Sequence, residues 1–414
     1  MSEKISKENN YNFRVWDLRE EVRNYLSKCY FGLSCDKGVF TAILALYQTR
    51  KYNLDYAKPS ELISCLSDML DKSCVKDGLP VLFDYYKELL SEEDTLIDIY
   101  LYMGEHDWNR IKEITACFDI ETLKESLLAY DFIDEPKAST NLLNLINDIL
   151  DVQDNEKLLD LYSGTGNCVC YEYSKNPHAK YYFHDEFLYD NVFSKIKAEL
   201  TNGSITYLDS LSFDFYPARK TYSKLQDIEE LKFNKIIIEF PNKFLSELND
   251  IDVAKYQIEE LKFENLQFSK DLSISLLRTI QTLDYLEDDG TCVAIVLNRF
   301  LNDKANFELR KYLTDNGMVS AVINLPTKIF HMLGAELSLL VLSKNRKESV
   351  EIIDASRAMF GSPENDALHH TTRYYKKIID ACKTNSETRK TISNQIIQNS
   401  NYSLVSTDYI PCKK

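Results

Sequence analysis

Glycine is scarce in this chain, with 11 residues in 414. No stretch approaches 18 uninterrupted apolar residues, which excludes an ordinary membrane-spanning helix. The opening Met1-Ser2-Glu3-Lys4-Ile5-Ser6-Lys7 has no apolar core of the signal-peptide kind, so a cytoplasmic protein is expected. Ten cysteines run from Cys29 to Cys412 without one CxxC pair, Cys168 and Cys170 being the closest. Of six histidines, only His369 and His370 are close in sequence. Those spacings imply reduced, mostly buried thiols and no metal site. No Ser/His/Asp or Cys/His order suggests a nucleophile, and no Walker loop is present. A net positive charge is missing as well: the formal balance is −16. Proteins that grip nucleic acid alone usually carry a basic face, because neutralising phosphates supplies most of the affinity. If this chain acts on nucleic acid, it needs a local basic patch or a partner that does the gripping.

What is present is enough sequence for two or three domains. Residues 1–130 read as helical, with Val15, Leu18, Val22 and Leu26 at spacings of three and four. Pro59-Ser60-Glu61 and Ser91-Glu92-Glu93 look like helix starts. From about residue 140 the pattern changes. An amphipathic helix over Asn141–Leu150 leads into short apolar runs at Leu158–Tyr162, Lys180–His184, Ser204–Leu208, Lys235–Glu239, Thr291–Asn298, Val319–Asn324 and Ser338–Ser343. Strands alternating with helical stretches predict a mostly parallel, doubly wound α/β domain over 131–360. A helix over Leu272–Leu286 is expected to end in a turn at Asp288-Asp289-Gly290, and 361–414 to form a helical tail.

The most informative run is Lys157-Leu158-Leu159-Asp160-Leu161-Tyr162-Ser163-Gly164-Thr165-Gly166-Asn167. A β-like segment ends in an acid, and two of the few glycines follow two residues apart. Glycine admits positive φ and lets backbone N–H groups approach a ligand. Strand–loop–helix units of this kind hold nucleotide cofactors at the carboxyl ends of Rossmann-like strands. No third glycine follows Gly166, which counts against the dinucleotide pattern and NAD. An acid four residues before the first glycine is the arrangement found where S-adenosylmethionine binds.

The glycine loop, the strand succession and the blocks after Asp289 resemble the modification (M) subunit of type I restriction–modification systems, a family of N6-adenine DNA methyltransferases with a helical N-terminal domain. Trp16-Asp17-Leu18-Arg19 is similar to the family's opening. Thr291–Leu297, Leu325-Pro326-Thr327-Lys328-Ile329-Phe330 with Gly334, Ser338–Leu342, Asp354-Ala355-Ser356 and Ile396–Ile410 resemble its later segments, in the right order. The resemblance implies a Rossmann-like methyltransferase domain binding S-adenosylmethionine, with Asp160, Gly164 and Gly166 lining the cofactor site. It also implies that Glu186, after the second strand, accepts bonds from the ribose hydroxyls, a task for which a carboxylate is suited. Asp209, after the third strand, would contact the adenine amino group of the cofactor. Each of these acids also suits a plain turn or cap.

At the fourth strand the family carries Asn or Asp, two prolines and an aromatic, which together hold a flipped adenine amino group for methylation. Here the register gives Glu239-Phe240-Pro241-Asn242 as the catalytic run. Glu239 still offers an acceptor with a longer reach, only one proline is present, and Asn242 has no ring. A base stack is worth about 1–3 kcal/mol, so this departure bears directly on catalysis. Two readings therefore stand side by side: an adenine-N6 methyltransferase working on DNA through a separate specificity subunit, with a second modification subunit as a further partner, and a catalytically dead scaffold retaining the fold. Arg299, Lys304, Arg310 and Lys311 read as a solvated helix face rather than a basic spot.

Overall fold

The computed structural model describes residues 15, 17–28, 36–71, 103–130, 137–184, 191–208, 232–238, 276, 279–280, 282–326, 329–331, 335–356 and 387–411. The chain divides into two compact units. One comprises Met1–Asp134, Gly164–Cys170 and Phe187–Ile205; the other comprises Glu135–Ser163, Tyr171–Glu186 and Thr206–Lys414.

In the helical unit, residues 17–28, Asp36–Lys51, Leu62–Asp71, Glu105–Ile114, Ile120–Leu128 and Asn191–Glu199 form helices. The expected spacing holds: Leu18, Val22 and Leu26 are fully buried, and Val15 nearly so. Leu18, Val22 and Leu26 share a core with Phe40, Ile43, Trp108, Ile111, Leu123, Leu127, Tyr130 and Phe193. Phe40 meets both Tyr130 and Phe193 edge-on, with centroids 5.4 and 5.3 Å apart, a favoured geometry for ring quadrupoles. Pro59–Glu61 forms a single 3-10 turn before the helix Leu62–Asp71, close to the predicted start. The proposed start at Ser91 lies outside the described residues.

Among the described residues, nine strands make the main sheet of the second unit: β2 (Lys157–Leu161), β3 (Lys180–His184), β4 (Ile205–Tyr207), β5 (Phe233–Ile238), β6 (Leu286–Leu297), β7 (Val319–Asn324), β9 (Leu337–Ser343), β10 (Ser349–Asp354) and β11 (Arg389–Ser393). Their order is β11-β10-β7-β9-β6-β5-β2-β3-β4. Strands β3, β2, β5 and β6 run parallel, as do β7 and β10. Strand β9 enters between β6 and β7 antiparallel to both. All seven residues of β9 are buried, in keeping with a strand covered on both faces. A separate two-stranded piece pairs β1 (Lys137–Ala138) with β8 (Phe330–His331). It is followed by the helix Thr140–Leu150, whose Ser139 cap accepts from Leu142 N.

Three expectations need correction. The turn at Asp288-Asp289-Gly290 lies inside β6, where the register jumps from Phe233↔Leu286 to Lys235↔Thr291. A Cβ on Gly290 would lie 2.7 Å from Leu286 Cδ1 and 2.9 Å from Asn234 O. Its glycine therefore answers to close approach within a bulge rather than to the end of a helix. The tail over 361–414 is not wholly helical. Its described part contributes β11, antiparallel to β10, before the helix Asn394–Asn399. The polar run Arg389–Ser393 hid a short edge strand in which only Ile392 is buried. Finally, Arg310 is no solvated residue: it is 1% exposed, donating from Nε to Tyr402 O and from Nη1 to Phe300 O, both at 2.9 Å. Two carbonyls and Asp303 at 3.6 Å offset the cost of its burial.

Candidate cofactor site

The carboxyl ends of β2, β3, β4 and β5 meet at one edge of the sheet. Leu161 pairs with His184 on one side and Ile238 on the other. The His184 ring donates from Nδ1 to Leu208 O at 2.8 Å, tying the end of β3 to the end of β4. Its own carbonyl accepts from Tyr162 N at 2.9 Å and Ser163 N at 3.2 Å. Thus a buried histidine, which the sequence shows only as a strand end, organises the chain as it leaves β2. The local signal was a polar ring closing an otherwise aromatic strand, Lys180-Tyr181-Tyr182-Phe183-His184.

Beyond β2 the backbone alternates in handedness. Tyr162, Gly164 and Gly166 have φ of 63°, 52° and 75°, with Ser163 and Thr165 between them on the negative side. Alternation of this kind turns successive N–H groups toward a common concavity. At Gly164 a Cβ would meet nothing within 4 Å, so this side of the loop is open. At Gly166 the reverse holds: a Cβ would lie 3.3 Å from Ser194 Cβ. One glycine leaves room for a ligand, and the other lets the loop lie against a helix. Asp160 is fully buried in β2. The Ser163 hydroxyl is also buried and has no hydrogen-bond partner among the described residues. A buried polar atom left without a partner costs about 1–3 kcal/mol, which a bound polar ligand would relieve. An open glycine cradle, a buried carboxylate and an orphaned hydroxyl fit the amino-acid end of S-adenosylmethionine.

The helix after the loop, Asn167–Lys175, carries Glu172, which is fully buried. Its Oε2 accepts from Asn147 Nδ2 at 2.9 Å, while Oε1 has no partner among the described residues. Burial pushes its carboxyl up to about 7, against the lesser opposing effects of the Asn147 bond and of Lys175. Sequence reading passed over this residue, because one glutamate within a polar helix carries no signal.

Of the residues expected at the site, Asp160 is buried in β2, and Gly164 and Gly166 lie in the loop that follows it. Glu186, Asp209, Glu239, Phe240, Pro241 and Asn242 lie outside the described residues. The residues from which those runs depart, His184, Leu208 and Ile238, stand at the same edge as Leu161. Among the described residues no group of His, Cys, Asp and Glu is arranged to hold a metal, and no helix is long and apolar enough to cross a membrane. A cleft of about 440 Å³ lined by Thr314, Arg346, Lys347 and Asn394, among others, lies beside the turns that lead into β7 and β10, at their amino ends.

Comparison with known proteins follows the same lines. The chain is 30% identical over 137 residues to the methylase subunit of the type I restriction enzyme MpnII of Mycoplasma pneumoniae. That stretch covers 32% of this chain and 25% of that protein. The fold is similar to the methyltransferase subunit of a type I restriction–modification system from Streptococcus thermophilus, with a TM-score of 0.63 at 16% identity, covering 98% of this chain and 100% of that one. A chain from a type I restriction–modification system, solved for its complex assembly and conformational transition, gives 0.60 at 11% identity, covering 99% and 91%. At such identities these likenesses speak to the fold alone. The sequence match is more direct, because a model of N-6 DNA Methylase takes in residues 138–414, from the first short strand through the whole main sheet. The chain belongs to the N-6 DNA methylase family.

Proposed function

We propose that this protein is a modification-subunit-like methyltransferase that binds S-adenosylmethionine at the β2 edge and transfers its methyl group to N6 of adenine in DNA. The observation that carries the reading is the pairing Leu161↔Ile238. It brings the end of β5, from which Glu239-Phe240-Pro241-Asn242 continue in sequence, beside the end of β2, and so supports a shared site. Asp160, Gly164 and Gly166 hold the cofactor's amino-acid end. Glu186 takes the ribose hydroxyls, and Asp209 the adenine amino group. When bound, the cofactor supplies an electrophilic methyl group. Glu239 and the Pro241 carbonyl accept hydrogen bonds from the target amino group and orient its lone pair, and Phe240 is the residue assigned to stack on the base. A charge of −16 supports DNA docking through a separate specificity subunit, and a second modification subunit is the further partner in this reading.

Titration calorimetry with S-adenosylmethionine, followed by methyl transfer to adenine-containing DNA in the presence of the specificity subunit, tests this. Heat of binding and labelled N6-methyladenine are expected. Binding without any transfer would leave a cofactor-binding scaffold in place of an enzyme. Absence of binding would remove the reading altogether.

A further inference from the structure

The helix Asn191–Glu199 touches the glycine loop at two places. Ser194 sits where Gly166 could carry no side chain without crowding. One turn further on, Lys197 is fully buried, and its Nζ donates to Asn167 Oδ1 and to Tyr130 O, both at 2.9 Å. Asn167 is the first residue of the helix that follows the loop. Tyr130 closes the run of helices in the N-terminal part, its ring packed on Phe40 and lying under the Arg19 guanidinium at 4.8 Å. Arg19 in turn donates to Ser126 O at 2.9 Å.

A buried ammonium is an expensive way to fill space. Methionine or leucine would occupy the volume without the loss of hydration. What lysine adds is three donors at one point, and two of them are spent on a carbonyl at the end of the helical run and on the side chain that begins the cofactor-loop helix. We propose that Lys197 is a positioning residue for the cofactor loop. Through Asn167 it fixes where Gly164 and Gly166 sit, and it anchors that position to Tyr130. This rests on the cofactor reading above. The loop's alternating backbone has no side chains of its own at 164 and 166 to lock it, so its geometry depends on such outside contacts. Freedom of about 1 Å at a binding element costs on the order of a hundredfold in catalytic systems; binding alone should lose less.

The test compares S-adenosylmethionine affinity by calorimetry in the full chain for wild type, Lys197→Met, Asn167→Ala, Asn167→Asp and the Lys197→Met/Asn167→Ala double variant, with thermal unfolding alongside. Each single removal is expected to weaken binding about tenfold, with the double variant no weaker than either, since partners in one bond are not additive. Asn167→Asp keeps the acceptor and is expected to bind like wild type. Because Asn167 is only half-buried, its pair of variants decides the matter even if Lys197→Met does not fold. Unchanged affinity in variants that merely melt earlier would show a structural role alone and overturn the proposal. A wild type that does not bind the cofactor would overturn the cofactor reading itself, and this inference with it.

Discussion

Glu172 offers a sharp test of how the cofactor-loop helix is stabilised. Its carboxyl, ordinarily at 4.5, is raised to about 7 by burial. For an acid the sign runs one way: the folded state prefers the protonated form, so the stability this group contributes is present below pH 4.5 and lost as pH rises to about 7. A carboxyl moved from 4.5 to about 7 is worth on the order of 3 kcal/mol, most of it lost between pH 5 and pH 8. Glu172→Gln removes the titration but keeps an oxygen for Asn147 Nδ2. The amide adds a buried N–H₂ whose cost is the same at every pH, so the informative quantity is the slope and not the offset. Urea unfolding of the two proteins at pH 5, 6, 7 and 8, followed by a probe of the α/β unit, should show wild type losing about 2–3 kcal/mol relative to the variant. Parallel curves would refute the reasoning, and would mean that water or a rearranged neighbour solvates the carboxylate in the folded state.

The two loop glycines should separate in their effects. Gly164→Ala is expected to cost only the positive-φ penalty of about 1 kcal/mol while abolishing S-adenosylmethionine binding, measured by melting and calorimetry. Gly166→Ala, facing Ser194 at 3.3 Å, should lower both stability and binding. Arg310→Met should destabilise by about 3 kcal/mol, because it strands the Phe300 and Tyr402 carbonyls in a buried place. Limited proteolysis should then cut within 394–411, around Tyr402, before it cuts the sheet. Converting Glu239→Asn, Phe240→Pro and Asn242→Phe together should raise methyl transfer by about tenfold or more, the value of a restored base stack. No gain would place the limiting step in DNA docking.

The sheet was legible because its strands are apolar runs buried on both faces. Leu158–Leu161, Ile236–Ile238 and Cys292–Leu297 are buried throughout, and a continuous apolar run survives any error of register. The glycine loop was legible for a different reason: scarcity makes two glycines in three residues conspicuous, and both carry positive φ. What escaped depends on partners distant in sequence. Nothing local marks Lys197 as a bond to residues 67 and 30 positions away, or Arg310 as a clamp on a carbonyl 92 residues later. Charged residues at helical spacing read as solvent-facing unless the fold brings acceptors to them. The strand Arg389–Ser393 escaped because an edge strand buries a single side chain and owes its form to the backbone of its neighbour.

That last strand has a consequence for how the molecule is made. Strand β10 ends at Asp354, and Arg389–Ser393, later in the chain, pairs along its outer row of amides and carbonyls. A chain cut short before residue 389 lacks that partner, and a second copy then offers β10 the same hydrogen bonds. Premature termination there is expected to give a protein with an adhesive flank.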